Sequence, residues 1–304
     1  MRHQSQRGSG CEKHVTVSVG IPAYNEEKTI SQLLQSILKE SDRRPHLKEI
    51  IVNSSGSTDN TDASVQAMMR TDPRIKLISN ARRRGKATAL DSILRVAQGD
   101  LVVFIDGDVT LEEHAISTLA HPFLSDDKIG ICTGNTMPIK DGNSFFEFAS
   151  LVVRSLHHEL CSYLVSKGKT PKVNGTFYAI RRKILDAFPS NVVSDDEYAS
   201  WQAQKKGYCI VYVPEAMVYT SDPHTFASFI KWQKRIIAGQ MLMKRNFNYD
   251  VPTMRASVVA PCLLKLVRRY KRKLLGLSAL FSLGALSYLL AFVTFLRNEI
   301  PYRY

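Results

Sequence analysis

The sequence predicts an α/β fold in which a mostly parallel sheet carries helices on both faces. Short runs of apolar, often β-branched residues alternate along the first third of the chain with longer segments whose apolar residues recur every three or four positions. Only short polar stretches separate these runs. Strands that alternate with helices through short connections form parallel sheets, so this pattern favours an α/β architecture.

The first strand is predicted over residues 15–21, because the run is apolar and Pro22 then starts a loop. Asn25 is a residue type that caps helices, and carboxylates such as Glu26 and Glu27 favour a helix N-terminus, so we expect a helix to begin there. Apolar residues follow at helical spacing, namely Ile30, Leu33, Leu34 and Ile37.

The remaining elements of this region repeat the alternation. The predicted order is a strand over 50–53, a turn over 54–60, a helix over 63–69, a strand over 75–78, a helix over 85–97 and a strand over 101–105. Ligands of such sheets bind beyond the carboxyl ends of the strands. We therefore expect the residues after the first, second and fourth strands (22–26, 54–59 and 106–108) to face one crevice.

Two carboxylates follow the fourth strand directly. Asp106 and Asp108 flank Gly107 at the end of an apolar run. Two nearby carboxylates repel each other unless a cation lies between them, and oxygen ligands suit a hard divalent ion. Such an ion can also bind a diphosphate and neutralise a leaving group. The spacing therefore predicts a metal site at the edge of the sheet.

Composition places the chain among cytosolic or membrane-associated proteins with reduced thiols. The 304 residues include five cysteines, an odd number, and no C-x-x-C pair, which argues against a disulfide framework and against a zinc site. The formal net charge is +13. No nucleic-acid motif accompanies the basic runs, so we expect no specific nucleic-acid partner.

An uncharged run of 23 residues covers 274–296. As a helix it is about 34 Å long, enough to cross a hydrocarbon core of about 30 Å. Six basic residues precede it, namely Lys265, Arg268, Arg269, Lys271, Arg272 and Lys273, and such a cluster binds anionic headgroups. The charge asymmetry predicts a single pass through the cell membrane, with the large N-terminal part in the cytoplasm.

Between the globular part and this run, apolar, aromatic and basic residues are mixed. Pro252 and Pro261 interrupt the stretch, and no part of it is long enough to span a membrane. We expect helices that lie in the membrane interface. The predicted organisation is a flexible N-terminus (1–13), a catalytic domain (14–225), an amphipathic basic segment (226–273), a transmembrane helix (274–296) and a short tail (297–304).

The motifs, taken together, resemble family 2 of the glycosyltransferases, whose fold is the GT-A variant of a Rossmann-like sheet. The matching stretches occur in the family's order: IPAYNEE at 21–27, SSGSTDNT at 54–61, GKATAL at 85–90, FIDGDV at 104–109, VNGTFYAIRR at 173–182, SDDEYASWQAQKKGY at 194–208 and the segment 235–239. The resemblance covers about residues 14–240.

This resemblance implies an inverting glycosyltransferase that uses Mg²⁺ or Mn²⁺ and a UDP- or GDP-sugar. Asp106 and Asp108 would hold the metal, and Asp196 would be the general base that deprotonates the acceptor hydroxyl. The nucleotide-sugar would contact Pro22, Ala23, Tyr24, Asn25, Glu26, Ser55, Lys86 and Asp106. The acceptor side would include Asn174, Gly175, Asp195 and Arg235. The implied acceptor is a lipid-linked or membrane-proximal glycan.

The sequence departs from the family pattern in three places. Ser54 and Ser55 stand where the family usually has acids, which leaves the nucleotide base open. Thr220 replaces a frequent histidine ligand, and His224 is a candidate substitute. Processive synthases carry Q-x-x-R-W, whereas residues 232–236 read WQKRI, so we expect transfer of one or a few sugars.

Other functions remain open at this point. A processive polysaccharide synthase of the same family is one alternative. A membrane scaffold that kept the fold and lost catalysis is an alternative of another class, suggested by Ser54, Ser55 and Thr220. A nucleotidyltransferase would need a glycine-rich basic first loop, which residues 21–25 lack.

Overall fold

The computed structural model describes residues 15–40, 42–139 and 144–297. The predicted flexible N-terminus (1–13) and the tail beyond Arg297 lie outside the described residues.

An eight-stranded sheet with the order β3-β2-β1-β4-β7-β6-β8-β5 forms the centre of the fold. Its strands are β1 (Thr16–Ala23), β2 (His46–Ser55), β3 (Ile75–Asn80), β4 (Leu101–Ile105), β5 (Val109–Leu111), β6 (Ile129–Pro138), β7 (Phe177–Arg181) and β8 (Cys209–Thr220). The four strands predicted from sequence form its parallel half. β7 pairs antiparallel with β4 and β6, so the complete sheet is mixed.

Ten α-helices are described. They are α1 (Ile30–Lys39), α2 (Thr61–Met69), α3 (Lys86–Val96), α4 (Ala115–Ala120), α5 (Pro122–Ser125), α6 (Phe145–Ser166), α7 (Asp195–Lys205), α8 (Phe226–Phe247), α9 (Ala256–Arg269) and α10 (Leu274–Leu296). They cover both faces of the sheet, as predicted. Alternation along β4 shows this, because Val103 belongs to the core shared with α1 and Phe104 to the core shared with α3 and α7.

The first helix begins later than the sequence predicts. α1 starts at Ile30, and Asn25 does not cap it, since Asn25 has a left-handed φ of 59°. Its Oδ1 instead accepts a 2.8 Å hydrogen bond from the backbone N–H of Thr58. Asparagine tolerates this conformation because its side chain can bond nearby backbone. The capping prediction was therefore wrong: Asn25 joins two loops instead of starting a helix.

The C-terminal helices pack against the catalytic region. Met243 and Val251 belong to the same core as α3 and α7, although they lie beyond residue 225. α10 coincides with the predicted apolar run, and it is the one described helix that is long and apolar enough to cross a membrane. Its buried face, which includes Leu277, Leu280 and Ala291, packs along α8 and the start of α6.

Candidate active site

A cavity of about 420 Å³ opens at the carboxyl ends of β1, β2 and β4. Parallel strands end at one edge, so the loops that follow them meet there. Residues predicted to bind the nucleotide-sugar line this donor cavity: Pro22, Ala23, Tyr24, Glu26, Ser55, Lys86 and Asp106. Asn25 is absent from the lining, and its role is to hold the first loop in place.

Hydrogen bonds from the loop after β2 fix the first loop. The N–H of Asn25 donates to Ser57 Oγ at 3.1 Å, and the N–H of Glu26 donates to Thr61 Oγ1 at 2.7 Å. Asp59 accepts from the N–H of Glu27 at 3.1 Å. These contacts tie together two of the three loops that were expected to share one crevice.

Three carboxylates lie together beneath this loop. Burial, together with the charge of Asp106, raises the pKa of Asp108 to about 6. Burial, together with the charge of Asp108, raises the pKa of Glu26 to about 7. Gly107 brings the chain close to Glu26, because a Cβ there would lie 3.0 Å from Glu26 Cγ. The mutual repulsion shows that this part of the cavity favours a cation.

Lys86 supplies one positive charge to the cluster. It is the first residue of α3, and its Nζ lies 2.5 Å from Asp106 Oδ1. The same Nζ donates a 2.9 Å hydrogen bond to the carbonyl of Gly175. Burial alone would lower the pKa of Lys86, but the charges of Asp106 and Asp195 outweigh it and raise that pKa. Lys86 is therefore a permanent cation in the site.

Two basic residues of the donor cavity were not assigned a role from the sequence. The guanidinium of Arg83 lies 3.8 Å from the centroid of the Tyr24 ring. The N–H of Arg84 donates to Ser55 Oγ at 3.1 Å, so Ser55 positions the basic loop. Residues 82–84 are three consecutive arginines, and only the fold shows that Arg83 and Arg84 line the cavity whereas Arg82 does not.

The carboxylates fit a divalent ion that the ligand itself helps to coordinate. Among the described residues, no group of three His, Cys, Asp or Glu side chains is arranged to hold a metal. A hard ion at Asp106 and Asp108 would complete its shell with diphosphate oxygens and water, as Mg²⁺ commonly does. His224 lines the neighbouring cavity, where its Nε2 lies 3.3 Å from Ser221 Oγ.

A second cavity of about 910 Å³ adjoins the first. Its polar wall carries the first residues of α7, Asp195 and Asp196, together with Asn174 and Gly175. The two cavities share lining residues: Lys86, Asp106, Asp108, Val193, Ser228, Trp232 and Arg235. The fold thus brings the predicted donor and acceptor residues into one continuous site.

Asp195 and Asp196 differ in their surroundings. Burial raises the pKa of Asp195 to about 6 despite the charge of Lys86, and its Oδ2 has no hydrogen-bond partner. The Asp196 side chain is 16% exposed, and the charge of Lys172 and the backbone N–H of Glu197 outweigh its partial burial and lower its pKa. Asp196 therefore keeps its charge to a lower pH than Asp195 does.

Asn174 and Gly175 shape the polar wall. The side-chain amide of Asn174 donates to Thr136 Oγ1 at 2.8 Å and accepts from the N–H of Thr176 at 3.1 Å. A Cβ at Gly175 would lie 3.3 Å from Asp196 Cγ. Asn174 therefore holds the turn, and Gly175 lets the chain pass beside the acid.

Lys172 is a functional candidate that sequence reasoning missed. Lys172 forms ion pairs with Asp196 at 3.3 Å and Glu197 at 3.0 Å. Lys172 lies in an irregular segment between α6 and β7, and its contact with α7 is made by the fold alone. No local pattern signals it.

Comparison with known proteins identifies the family. The model described as "Glycosyl transferase family 2" matches residues 18–188, more than half of the chain. The chain is 26% identical over 247 residues to the poly-beta-1,6-N-acetyl-D-glucosamine synthase of Staphylococcus aureus (strain COL), covering 77% of this chain and 57% of the relative. It is 28% identical over 233 residues to the probable glycosyltransferase YdaM of Bacillus subtilis (strain 168), covering 72% of this chain and 53% of YdaM. The chain thus spans little more than half of each of these relatives.

Solved structures share the fold. The mannosyltransferase PcManGT from Pyrobaculum calidifontis, solved with GDP-Man and Mn²⁺, superposes with a TM-score of 0.65 at 22% identity, covering 94% of this chain and 88% of that one. Glucosyl-3-phosphoglycerate synthase from Mycobacterium tuberculosis, solved with Mn²⁺, UDP and phosphoglyceric acid, gives 0.53 at 23% identity, covering 76% and 79%.

The matched region contains the loop after β1, the carboxylates after β4 and the Lys86 helix, which together form the donor cavity. The fold and the sequence agree on one assignment, and this chain belongs to glycosyl transferase family 2.

Proposed function

We propose that this chain is a metal-dependent, inverting glycosyltransferase. It moves one or a few sugars from a UDP- or GDP-sugar to a lipid-linked or membrane-proximal acceptor at the cytoplasmic face of the cell membrane. The observation that carries the proposal is the continuity of the two cavities. The proposed metal ligands Asp106 and Asp108 line both cavities, and the proposed base Asp196 lines the second.

Donor binding uses charges already present in the site. Lys86 and Arg83 lie where a diphosphate and a nucleoside would meet the loops after β1 and β2. Mg²⁺ or Mn²⁺ at Asp106 and Asp108 would neutralise the charge of the leaving diphosphate. Support comes from the related folds solved with GDP-Man and Mn²⁺ or with UDP and Mn²⁺. Ser55 Oγ accepts a backbone hydrogen bond and can still donate its O–H to a nucleotide base, so both UDP- and GDP-sugars are candidate donors.

Asp196 is the proposed general base. As the acceptor oxygen attacks the anomeric carbon from the face opposite the diphosphate, its proton passes to the Asp196 carboxylate. The bond from the anomeric carbon to the diphosphate oxygen breaks, and the nucleoside diphosphate leaves with the electron pair. The hydroxyl loses its proton as positive charge develops at the sugar, so an ionised carboxylate is a sufficient base.

The second cavity suits an amphiphilic acceptor. Helices α6 and α8 contribute apolar side chains to it, including Leu156, Leu160 and Ile236, opposite the acids of α7. An apolar wall facing a polar wall fits a sugar or phosphate headgroup joined to a hydrocarbon chain. The basic cluster before α10 and the apolar outer face of that helix support attachment to an anionic bilayer, with the catalytic part on the cytoplasmic side.

A processive polysaccharide synthase is the second candidate, favoured by the similarity to the poly-beta-1,6-N-acetyl-D-glucosamine synthase of Staphylococcus aureus. Trp232 and Ile236 occupy the positions of Gln and Trp in the processive motif, and both line the acceptor cavity. Product length separates the two candidates. A short oligosaccharide or a single sugar on lipid supports the first, and a high-mass polymer supports the second.

A screen of labelled UDP- and GDP-sugars with membrane lipid extract tests the proposal. We expect one donor to give labelled lipid, and a chelator or Asp108→Ala to abolish the transfer. Asp196→Asn should still bind donor in calorimetry but should not transfer sugar. Pyrophosphate exchange without sugar transfer would indicate a nucleotidyltransferase, and failure to bind any nucleotide or metal would indicate a scaffold.

A further inference from the structure

A buried lysine lies behind the proposed base. The side chain of Lys172 is 10% exposed, and its Nζ lies 3.3 Å from Asp196 Oδ2 and 3.0 Å from Glu197 Oε1. The same Nζ donates a 3.2 Å hydrogen bond to the carbonyl of Val173. These three contacts fix the ammonium between two consecutive residues of α7.

Both oxygens of the Asp196 carboxylate are held by this arrangement. Oδ1 accepts a 2.9 Å hydrogen bond from the backbone N–H of Glu197, and Oδ2 accepts from Lys172. The carboxylate is therefore fixed in orientation, at the wall of the acceptor cavity. A carboxylate held in this way needs little reorganisation to receive a proton.

Glu197 explains why a lysine is stable at this position. Its side chain is fully enclosed, and neither of its oxygens has a hydrogen-bond partner among the described residues, so the ion pair with Lys172 is its compensating contact. Burying an ammonium requires such compensation. Glu197 lies at the wall of the second cavity with its side chain enclosed, and its carboxylate balances the charge of Lys172.

Three of the ionisable groups around this pair are neutral at physiological pH. Burial and the charge of Lys172 lower the pKa of His157 to about 3, and burial raises the pKa of Cys161 to about 12. Burial also raises the pKa of Tyr249. Besides Asp196 and Glu197, the charges that act on this group are Lys86, Arg154 and Asp195. Lys172 is the cation in direct contact with the base.

We propose that Lys172 is a positioning residue, which holds the Asp196 carboxylate in one orientation and in its charged form while Glu197 anchors the lysine. The inference rests on the proposed role of Asp196 as the general base. Lys172 and Glu197 both line the second cavity, and their proposed action is through Asp196. The acceptor proton still passes to Asp196, and Lys172 remains paired with Glu197 after the transfer.

Lys172→Met tests the inference, because it keeps the length of the side chain and removes its charge. We expect kcat at pH 6 to fall roughly tenfold to a hundredfold, with the KM of the donor changed less than about threefold. The acidic limb of the kcat–pH profile should move upward by about one to three pH units, because Asp196 loses the cation that keeps it ionised. Lys169→Met, an exposed lysine in the same segment, is the matched control.

The variant leaves Glu197 enclosed without its cation and can fail to fold. Lys172→Met/Glu197→Gln removes both charges and preserves folding, and the same upward shift is expected in it. An acidic limb and kcat equal to those of the wild type in whichever variant folds would overturn the inference. If Asp196→Asn is inactive while Lys172→Met behaves as wild type, only this inference fails. If Asp196→Asn retains transfer, both the assignment of Asp196 as the base and this inference fail.

Discussion

Lys86 joins the donor and acceptor sides of the site through its contact with Asp106. Its Nζ lies 2.5 Å from Asp106 Oδ1 and also donates to the carbonyl of Gly175, the residue that passes beside Asp196. One side chain thus links the proposed metal ligand to the turn that borders the proposed base. We expect changes at Lys86 to affect donor binding and acceptor chemistry together.

Replacement of Lys86 by Met should raise the KM of the nucleotide-sugar by roughly 10- to 100-fold. The estimate follows from the loss of a hydrogen bond to a charged group, which is worth about 1.5–3 kcal/mol. Initial-rate kinetics measure the effect, and Lys39→Met, at the exposed end of α1, is the control. An unchanged KM would show that Lys86 serves only to neutralise Asp106.

Asp108→Asn should remove the response of donor binding to Mn²⁺. Loss of a ligand should weaken metal binding by at least the roughly 10- to 100-fold that changes in supporting residues cause. Calorimetric titration of the nucleoside diphosphate with and without Mn²⁺ measures this. Asp186→Asn, whose side chain is 94% exposed, is the control. Metal-enhanced binding that persists in Asp108→Asn would contradict the assignment of the metal ligands.

Arg83→Ala should weaken binding of the nucleoside diphosphate several-fold. Arg83 stacks on Tyr24 beside the donor cavity, and such cation–π contacts are worth about 0.5–2 kcal/mol. The neighbouring Arg82 does not line the cavity, so Arg82→Ala is a matched control for the change in net charge. Equal losses in the two variants would indicate a long-range charge effect and no direct contact.

Glu49 gives a prediction about stability and pH. Burial alone would raise the pKa of Glu49, but hydrogen bonds from Lys76, Ser18 and the N–H of Gln98 outweigh burial and lower it. A lowered folded-state pKa means that the stabilisation is complete above the ordinary carboxyl pKa of about 4.3 and is lost as pH falls through the folded-state value.

Glu49→Gln should therefore lower the free energy of unfolding by about 1–3 kcal/mol at pH 7 and by less below about pH 4. Urea unfolding across this range measures the difference. Glu215→Gln, an exposed residue of β8, is the control. If the difference in free energy of unfolding between wild type and Glu49→Gln stayed constant down to pH 3, it would contradict the direction of the pKa shift.

The two faces of α10 should respond differently to substitution. Leu289 is 57% exposed, whereas Leu280 is 7% exposed within the cluster shared with α6 and α8. Leu289→Lys should reduce retention of the protein in carbonate-washed membranes without lowering its stability. Leu280→Ala should lower stability by about 2–5 kcal/mol and leave retention unchanged. The same response from both variants would contradict the assignment of the two faces.

Local patterns were sufficient for the parallel half of the sheet and for α10, because strand and helix periodicity and an uncharged run are properties of consecutive residues. The sequence also predicted that Glu26, Ser55 and Asp106 meet at one edge of the sheet, because parallel strands end at the same edge. The same reasoning failed at Asn25, whose side chain bonds Thr58, a residue 33 positions later. Local propensity favours a helix cap at Asn25, but the hydrogen bond between the two loops determines its conformation instead.

Contacts across large sequence separations account for what was missed in the site. Lys172 meets Asp196 24 positions away, and nothing in its neighbourhood indicates a buried cation. Similarly, the sequence of the basic run gives no reason to separate Arg83 from Arg82. Only the orientation of the loop after β3 distinguishes them.

Trp232 lies between α10 and the two cavities. It lines both cavities on one side and packs against the cluster that contains Leu277, Leu280 and Leu283 of α10 on the other. If α10 crosses a bilayer as proposed, a change in its tilt with bilayer thickness would displace this indole at the wall of the site. We then expect the turnover rate to depend on lipid composition without any lipid headgroup entering the second cavity.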